Sequence, residues 1–232
     1  TTSLELDLPN GGLSYVIGNV IQQGSASQNG GMLGYRLEGP DSRNPSAALF
    51  VVNNTFVNQR PGSEPVLKIA PGLAPAAVIT NNLFVTQGAL LLQGANATLR
   101  NNLKTASPGF VEPAQLDCRL LETSPAINAG TDPGLGPGWP LAPEFHYLHP
   151  ACGALRTQVG AIDIGAYEFG GITPMEQVPD RCREVLPQTQ PAIVNAADFH
   201  PGPIALGSIF SLFGTDLAPA EHIADRDRGA IQ

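Results

Sequence analysis

Charge is what this chain has least of. Asp, Glu, Lys and Arg together make up 14% of its 232 residues, where about a quarter is usual for a globular chain. The net charge is −8 and the isoelectric point about 4.8. Arg181, Arg183, Arg226 and Arg228 are interleaved with acids. No basic patch results, which argues against a general nucleic-acid binder. Long hydrophobic runs are missing too, so no membrane span is expected. No long stretch combines Ala, Leu, Glu and Lys at helical period. Cysteine is limited to Cys118, Cys152 and Cys182, at spacings that fit no zinc motif. Such sparse cysteines suit an exported chain with one optional disulfide. If one forms, Cys152 and Cys182 are the pair, both lying in loop-rich sequence. The alternative is three free, partly buried thiols. No GxSxG, P-loop or dinucleotide fingerprint occurs. No signal peptide is seen, and Thr1 is not an initiator Met, so the numbering is expected to begin inside a longer or processed chain.

Glycine (26) and proline (22) are abundant, and 42% of residues are apolar. Mean hydropathy is zero. That composition can build a core and suits an all-β secreted architecture better than a helical one.

Asparagine pairs interrupt the apolar runs. LFVVNNTFVNQR spans 49–60, AAVITNNLFVTQG spans 76–88 and ATLRNNLKT spans 97–105; YVIGNVIQQG at 15–24 is a looser copy. Aligned on the second Asn, the markers are Asn19, Asn54, Asn82 and Asn102, at intervals of 35, 28 and 20 residues. Uneven intervals rule out a strict tandem array. They fit a coil whose strands are fixed while its loops vary. Three residues before the marker stand Val16, Val51, Ile79 and Leu99, all apolar. Two residues after it stand Ile21, Phe56, Phe84 and Lys104, failing only in the last copy. Ile17, Val52, Thr80 and Arg100 grow more polar from copy to copy, as an outward position would. This is the period-2 signature of a strand with one face in a core.

A third strand lies between the paired units, in VLKI (66–69) and ALLLQG (89–94). Strand, loop, strand, Asn pair, strand and tight turn make up one coil. The fold class expected is therefore all-β: a right-handed, single-stranded parallel β-helix, or solenoid, with an irregular C-terminal cap. The bend between two strands needs a residue near the left-handed region, which Asn tolerates better than other non-glycine residues. Gly18 takes the neighbouring place in the first copy. Stacked coils would put equivalent Asn residues about 4.8 Å apart, close enough for a ladder of side-chain amides. Asn19, Asn54, Asn82 and Asn102 are read as that ladder. The rival reading makes Asn53, Asn81 and Asn101 sugar contacts on the outer face. Asn53-Asn54-Thr55 and Asn96-Ala97-Thr98 are glycosylation sequons, meaningful only in a non-bacterial source.

Further along, DCRLLETSPAINAG (117–130) and GAIDIGAYEFGG (160–171) resemble the closing region of a group of secreted bacterial parallel β-helix proteins. In proteins named for their varied C-terminal anchors it is called a choice-of-anchor region. The resemblance spans roughly residues 10–171. It implies a cap over the open sheet edge, with Asp163 and Glu168 structural. The group includes polysaccharide-active enzymes and many proteins of unknown role. AIVNAADFHPGPIALGSIFSLFGTDLAP (192–219) resembles the opening of a C-terminal module of secreted soil-bacterial proteins. The expected organisation is coils over 1–116, a cap over 117–171, a polar, proline-marked linker over 172–191 and an incomplete module over 192–232.

Chemistry is sparse. Glycosidases need paired carboxylates and lyases of this fold a basic residue with calcium held by acids. Glu38, Asp41, Glu64 and Glu112 occupy no common column of the coils. No metal site is read, and calcium, though compatible with the fold, is not indicated by clustered acids. EFHYLHP (144–150) could bring Glu144, His146 and His149 to a metal, but in a proline-flanked loop the two rings share no face, and a plain loop pair is the simpler reading. Trp139, Phe145 and Tyr147 could form a stacking platform for sugars, with cap packing as the alternative. Trp139, Tyr147, Arg100 and Lys68 are the candidate carbohydrate contacts; catalytic residues are not identified. The expected role is an extracellular or cell-surface β-helix protein contacting polysaccharide, without a complete catalytic centre here. The alternatives are a structural or adhesive surface protein and, third, a polysaccharide lyase or glycoside hydrolase.

Overall fold

The structure is a computed structural model. It describes residues 4–42, 44, 47–115, 117–148, 152–171, 192–195 and 210–213. They fall into two compact units. One holds the described residues of 4–148 and 153–171, and the other holds 152, 192–195 and 210–213. The fold is all-β, 38% strand and 2% helix, and the sheets of the first unit's core are parallel.

The chain lays down strands in passes. The first pass is β1 (Leu6–Leu8), β2 (Ser14–Ile17) and β3 (Val20–Gln23). The second is β4 (Leu33–Tyr35), β5 (Leu49–Val52) and β6 (Thr55–Asn58). The third is β7 (Leu67–Ile69), β8 (Ala77–Thr80) and β9 (Leu83–Val85). A last pass adds β10 (Ala97–Arg100) and β11 (Leu103–Lys104). Three sheets result, in the orders β1-β4-β7, β2-β5-β8-β10 and β3-β6-β9-β11. In the first, only a bridge from Leu67 to Leu91 continues the stack, so 89–94 contributes less strand than the sequence suggests.

Register follows the columns. Val16, Val51, Ile79 and Leu99 are successive partners, as are Ile21, Phe56, Phe84 and Lys104. Val16, Val51, Ile79, Phe56 and Phe84 are core residues, with Ile21 packed against them. The Phe56 and Phe84 rings stack 5.0 Å apart. Leu99, on the last strand of its sheet, is 44% exposed. Lys104 suits the same edge: its ammonium bonds the carbonyls of Gly88 and Gln87.

Residues 105–171 continue with β12 (Phe110–Glu112), a 3-10 turn at Pro113–Gln115, β13 (Asp117–Leu120), the hairpin β14 (Leu135–Gly136) and β15 (Trp139–Pro140), then β16 (Phe145–Leu148) paired with β17 (Cys152–Leu155). This segment packs along a flank of the sheets and not only over their end. Ile164, Ala166 and Tyr167 join Phe110, Cys118 and Leu120 in a second core against Val57 and Leu83, on the outer side of β6 and β9. Gly165, at φ +99, lets the chain approach so closely that a Cβ there would lie 2.8 Å from the Thr55 hydroxyl. Ala166 N–H donates to that hydroxyl. The outward positions Val52 and Thr80 are consequently buried. In that column only Arg100, on the last strand, is exposed. In the second unit, β18 (Ala192–Asn195) and β19 (Phe210–Phe213) pair antiparallel. The proposed linker (172–191) and Cys182 lie outside the described residues.

Candidate functional site

The two Asn residues of each pair divide the work. The first takes the bend: Asn53, Asn81 and Asn101 have φ of 51, 55 and 51°, and Gly18 has 70°. The second forms the ladder. The Oδ1 of Asn54 accepts from the backbone N–H and Nδ2 of Asn19, that of Asn82 from the same atoms of Asn54, and that of Asn102 from those of Asn82. All six distances are 2.9–3.0 Å. Each Nδ2 also reaches a strand carbonyl: Asn54 to Val16, Asn82 to Val51 and Asn102 to Ile79.

The bend residues are not free sugar contacts. Asn53 and Asn81 are fully buried under the flanking segment. Asn53 Nδ2 donates to the carbonyl of Asp163 at 2.7 Å. Asn81 Nδ2 donates to Thr131 O at 2.6 Å and to Asn53 Oδ1 at 3.2 Å, and Asn81 Oδ1 accepts from Thr131 N–H. Asn101 alone is exposed. This column is a fastener between the sheets and 126–168.

The acids of GAIDIGAYEF are equally committed. Asp163 accepts the N–H of Asn128 and of Phe169, each at 2.6 Å. Glu168 accepts the N–H groups of Val159 and Asp163 and pairs with Arg156 at 3.0 Å. Asp163, Glu168 and Arg156 are buried. His146 is a buried strand residue and not part of a loop; its Nε2 lies 3.1 Å from Gly171 O and its ring stacks on Tyr167. Burial, and then the charge of Arg156, hold its pKa below 6.5. Burial pushes the Cys118 thiol up to about 11, with the Asp117 charge adding to the effect. Among the described residues, no group of three or more His, Cys, Asp or Glu could hold a metal ion. His149 lies outside them.

What is presented outward is aromatic. On β2 and β5, Val16 and Val51 point into the core, so Tyr15 and Phe50 face out. Their rings stack with centroids 5.1 Å apart and planes 11° from parallel. The Tyr15 hydroxyl donates to Pro137 O at 2.6 Å. Pro137 belongs to the tight turn that joins β14 to β15. A Cβ on Gly136 would lie 2.8 Å from the Tyr15 ring, so glycine there is what lets the hairpin settle against the aromatic. Trp139, the register partner of Gly136, is 60% exposed. Arg100 lies at the last strand of the same sheet, its guanidinium bonded to Asp132 O at 2.6 Å.

Of the four residues named from sequence, Arg100 and Trp139 thus border this one face. Lys68 does not. It lies on the β1-β4-β7 sheet, its ammonium 3.7 Å from Glu64. Tyr147 is only partly exposed, and burial raises its pKa. Tyr15 and Phe50 escaped the sequence reading although the signal was present: each stands four residues before its Asn marker, hence in adjacent register on the outward side. A second feature is a polar hollow of about 770 Å³ lined by Asn58, Gln59, Arg60, Ser63 and Gln87.

No protein-family model, curated protein or solved structure matches the chain. No helix among the described residues is long and apolar enough to cross a membrane.

Proposed function

We propose that this chain is a right-handed parallel β-helix of an extracellular or cell-surface protein, and that it contacts polysaccharide through the aromatic patch at the Tyr15–Phe50 end of the β2-β5-β8-β10 sheet, outside the part covered by the flanking segment. The coil reading is supported by three parallel sheets that each gain a strand in each of the first three passes, two of them gaining a fourth in the last, and by the Asn ladder. Right-handedness follows from the strong rule for parallel crossovers. The resemblance of 117–171 to the closing region of secreted bacterial β-helices agrees with this.

One observation carries the carbohydrate reading: the stacked Tyr15–Phe50 pair beside the exposed Trp139. Sugar rings present C–H faces that pack on aromatic planes, while their hydroxyls seek hydrogen-bonding groups such as Arg100 at the rim. The buried carboxylates Asp163 and Glu168, saturated by backbone amides and Arg156, serve the fold, which favours binding as the reading over turnover at these two residues.

The test is affinity electrophoresis of the chain through gels containing neutral or acidic polysaccharides, with assay for new reducing or unsaturated ends. Retardation by one polymer, reduced about fivefold in affinity by Trp139→Ala or Phe50→Ala, is the result expected. Retardation untouched by both substitutions would refute this face. No retardation by any polymer would leave the structural or adhesive role in its place, and new chain ends would favour the lyase or hydrolase.

A further inference from the structure

The side-chain amide of Gln23 is surrounded by more oxygens than it has hydrogens to give. Gln23 closes β3 and is fully buried. Its Nε2 lies 3.2 and 3.0 Å from the two carboxylate oxygens of Glu5, 2.9 Å from Asn29 O and 3.1 Å from Gly31 O. An NH2 group carries two hydrogens, so four acceptors cannot all be served. On the other side of the amide, Oε1 is buried with no hydrogen-bond partner, an arrangement that costs free energy. A half-turn of the amide exchanges the two atoms. That brings Oε1 among the four oxygens, where it repels them unless a cation lies between.

Oxygens from one carboxylate, two main-chain carbonyls and an amide are what a hard cation takes, and calcium accepts six to eight of them, water included, in flexible geometry. We propose that Glu5, Gln23, Asn29 and Gly31 form a calcium site. Glu5 supplies a two-oxygen carboxylate grip, Asn29 and Gly31 supply carbonyls, and Gln23 supplies Oε1 after the half-turn. Glu5 directly precedes β1, and Asn29–Gly31 lie just before β4. The ion therefore ties the first pass to the second at the corner where β3 ends. A scan for paired acids passes over this place because carbonyls do most of the coordination.

Two details favour it. The nearest ammonium, Lys68, packs its stem over Gly31, where a Cβ would come within 2.8 Å of Lys68 Cδ, yet its charge is drawn to Glu64 at 3.7 Å. Glu5 keeps its carboxylate at the surface, so an ion enters without unfolding the corner. With a single carboxylate the affinity belongs to the weak extracellular range, about 1 mM. Magnesium, which demands a near-ideal octahedron and keeps its waters, is disfavoured.

The experiment titrates calcium chloride into the full chain by calorimetry and follows thermal unfolding with calcium, magnesium or EDTA. The wild type is expected to bind one calcium with Kd of about 1 mM and to melt higher with calcium than with equal magnesium. Glu5→Gln, at an exposed position, should keep its fold in EDTA and bind at least about tenfold more weakly. Gln23→Glu, which adds a carboxylate, should melt lower in EDTA and bind at least about tenfold more tightly. If Gln23→Glu does not fold, the Glu5→Gln titration decides alone. Absence of wild-type binding up to about 20 mM, well above the weak extracellular range, or equal affinity in Glu5→Gln, would overturn the proposal.

Discussion

Asn82 takes two hydrogen bonds from Asn54 on one oxygen: its Oδ1 accepts the Asn54 backbone N–H and the Asn54 Nδ2, both at 2.9 Å. A backbone donor at a bend, which no strand partner can serve, is thereby satisfied by the next pass of the chain. The two residues stand 28 positions apart in sequence, so the bond is evidence of stacking and not of local turn chemistry.

Asn82→Ala should be among the costliest single changes in the protein. It strands two buried donors of Asn54 and the carbonyl of Val51. At about 1–3 kcal/mol for each unsatisfied buried group, a loss of about 3 kcal/mol is expected. Asn19→Ala, at the exposed end of the ladder, should cost about 1 kcal/mol or less. Urea unfolding with an unchanged m-value measures both.

The bend residues allow backbone and side-chain effects to be separated. Asn101 is exposed at φ 51° and its side chain makes only a 3.4 Å contact to Ala129 O. Asn101→Gly should be close to neutral, and Asn101→Ala should lose about 1 kcal/mol to left-handed strain. At the buried Asn81 both variants should be strongly destabilising, because the bonds to Thr131 and Asn53 vanish in either case. The Gly variant should remain the more stable of the two in chemical denaturation.

The flanking segment hangs on a buried ion pair. Arg156→Met would leave the Glu168 carboxyl buried and only partly bonded, and breaking one side of a buried pair costs about 3–5 kcal/mol. Limited proteolysis should then cut between Leu155 and Gly171 at a protease level the wild type resists, with the sheet residues 47–104 still protected in hydrogen exchange.

His146 makes stability depend on pH in a definite direction. Burial holds its folded pKa below 6.5, so the unfolded chain takes up the proton first. The stabilisation is complete above pH 6.5 and is lost as the pH falls from 6.5 through the lower folded value. Asp117, held below 3.8 chiefly by its hydrogen bond from Arg119, acts only in the acid range beneath that. The drop in unfolding free energy between pH 7 and pH 5 should therefore be smaller in His146→Leu than in the wild type, measured by urea titration at each pH.

The sheets were legible in the sequence because their signals are local and repeated. Val16, Val51, Ile79 and Leu99 can be aligned by counting from Asn markers, and they are register partners in the structure. The flank was not legible in the same way. Its contacts join Asn53 to Asp163 and Thr55 to Ala166, across 110 and 111 residues, and no periodicity links such positions. The proposed site was half visible. Trp139 and Arg100 could be picked out as an aromatic and a cation in an uncharged chain. The stacked Tyr15 and Phe50 needed the column count applied to the outward face. Lys68 lies on another sheet, which its position near a strand could not tell, since such residues can belong to any of three sheets.

The most direct test of the stacked passes is an NMR measurement on the side-chain amides of the markers. In a 24.2 kDa chain with Asn selectively labelled, nuclear Overhauser contacts between the Nδ2 protons should link Asn19 to Asn54, Asn54 to Asn82 and Asn82 to Asn102, neighbours one strand spacing of about 4.8 Å apart. No contact should join Asn54 to Asn102. A missing Asn54–Asn82 contact, or amides that exchange with water as freely as those of surface asparagines, would contradict the account.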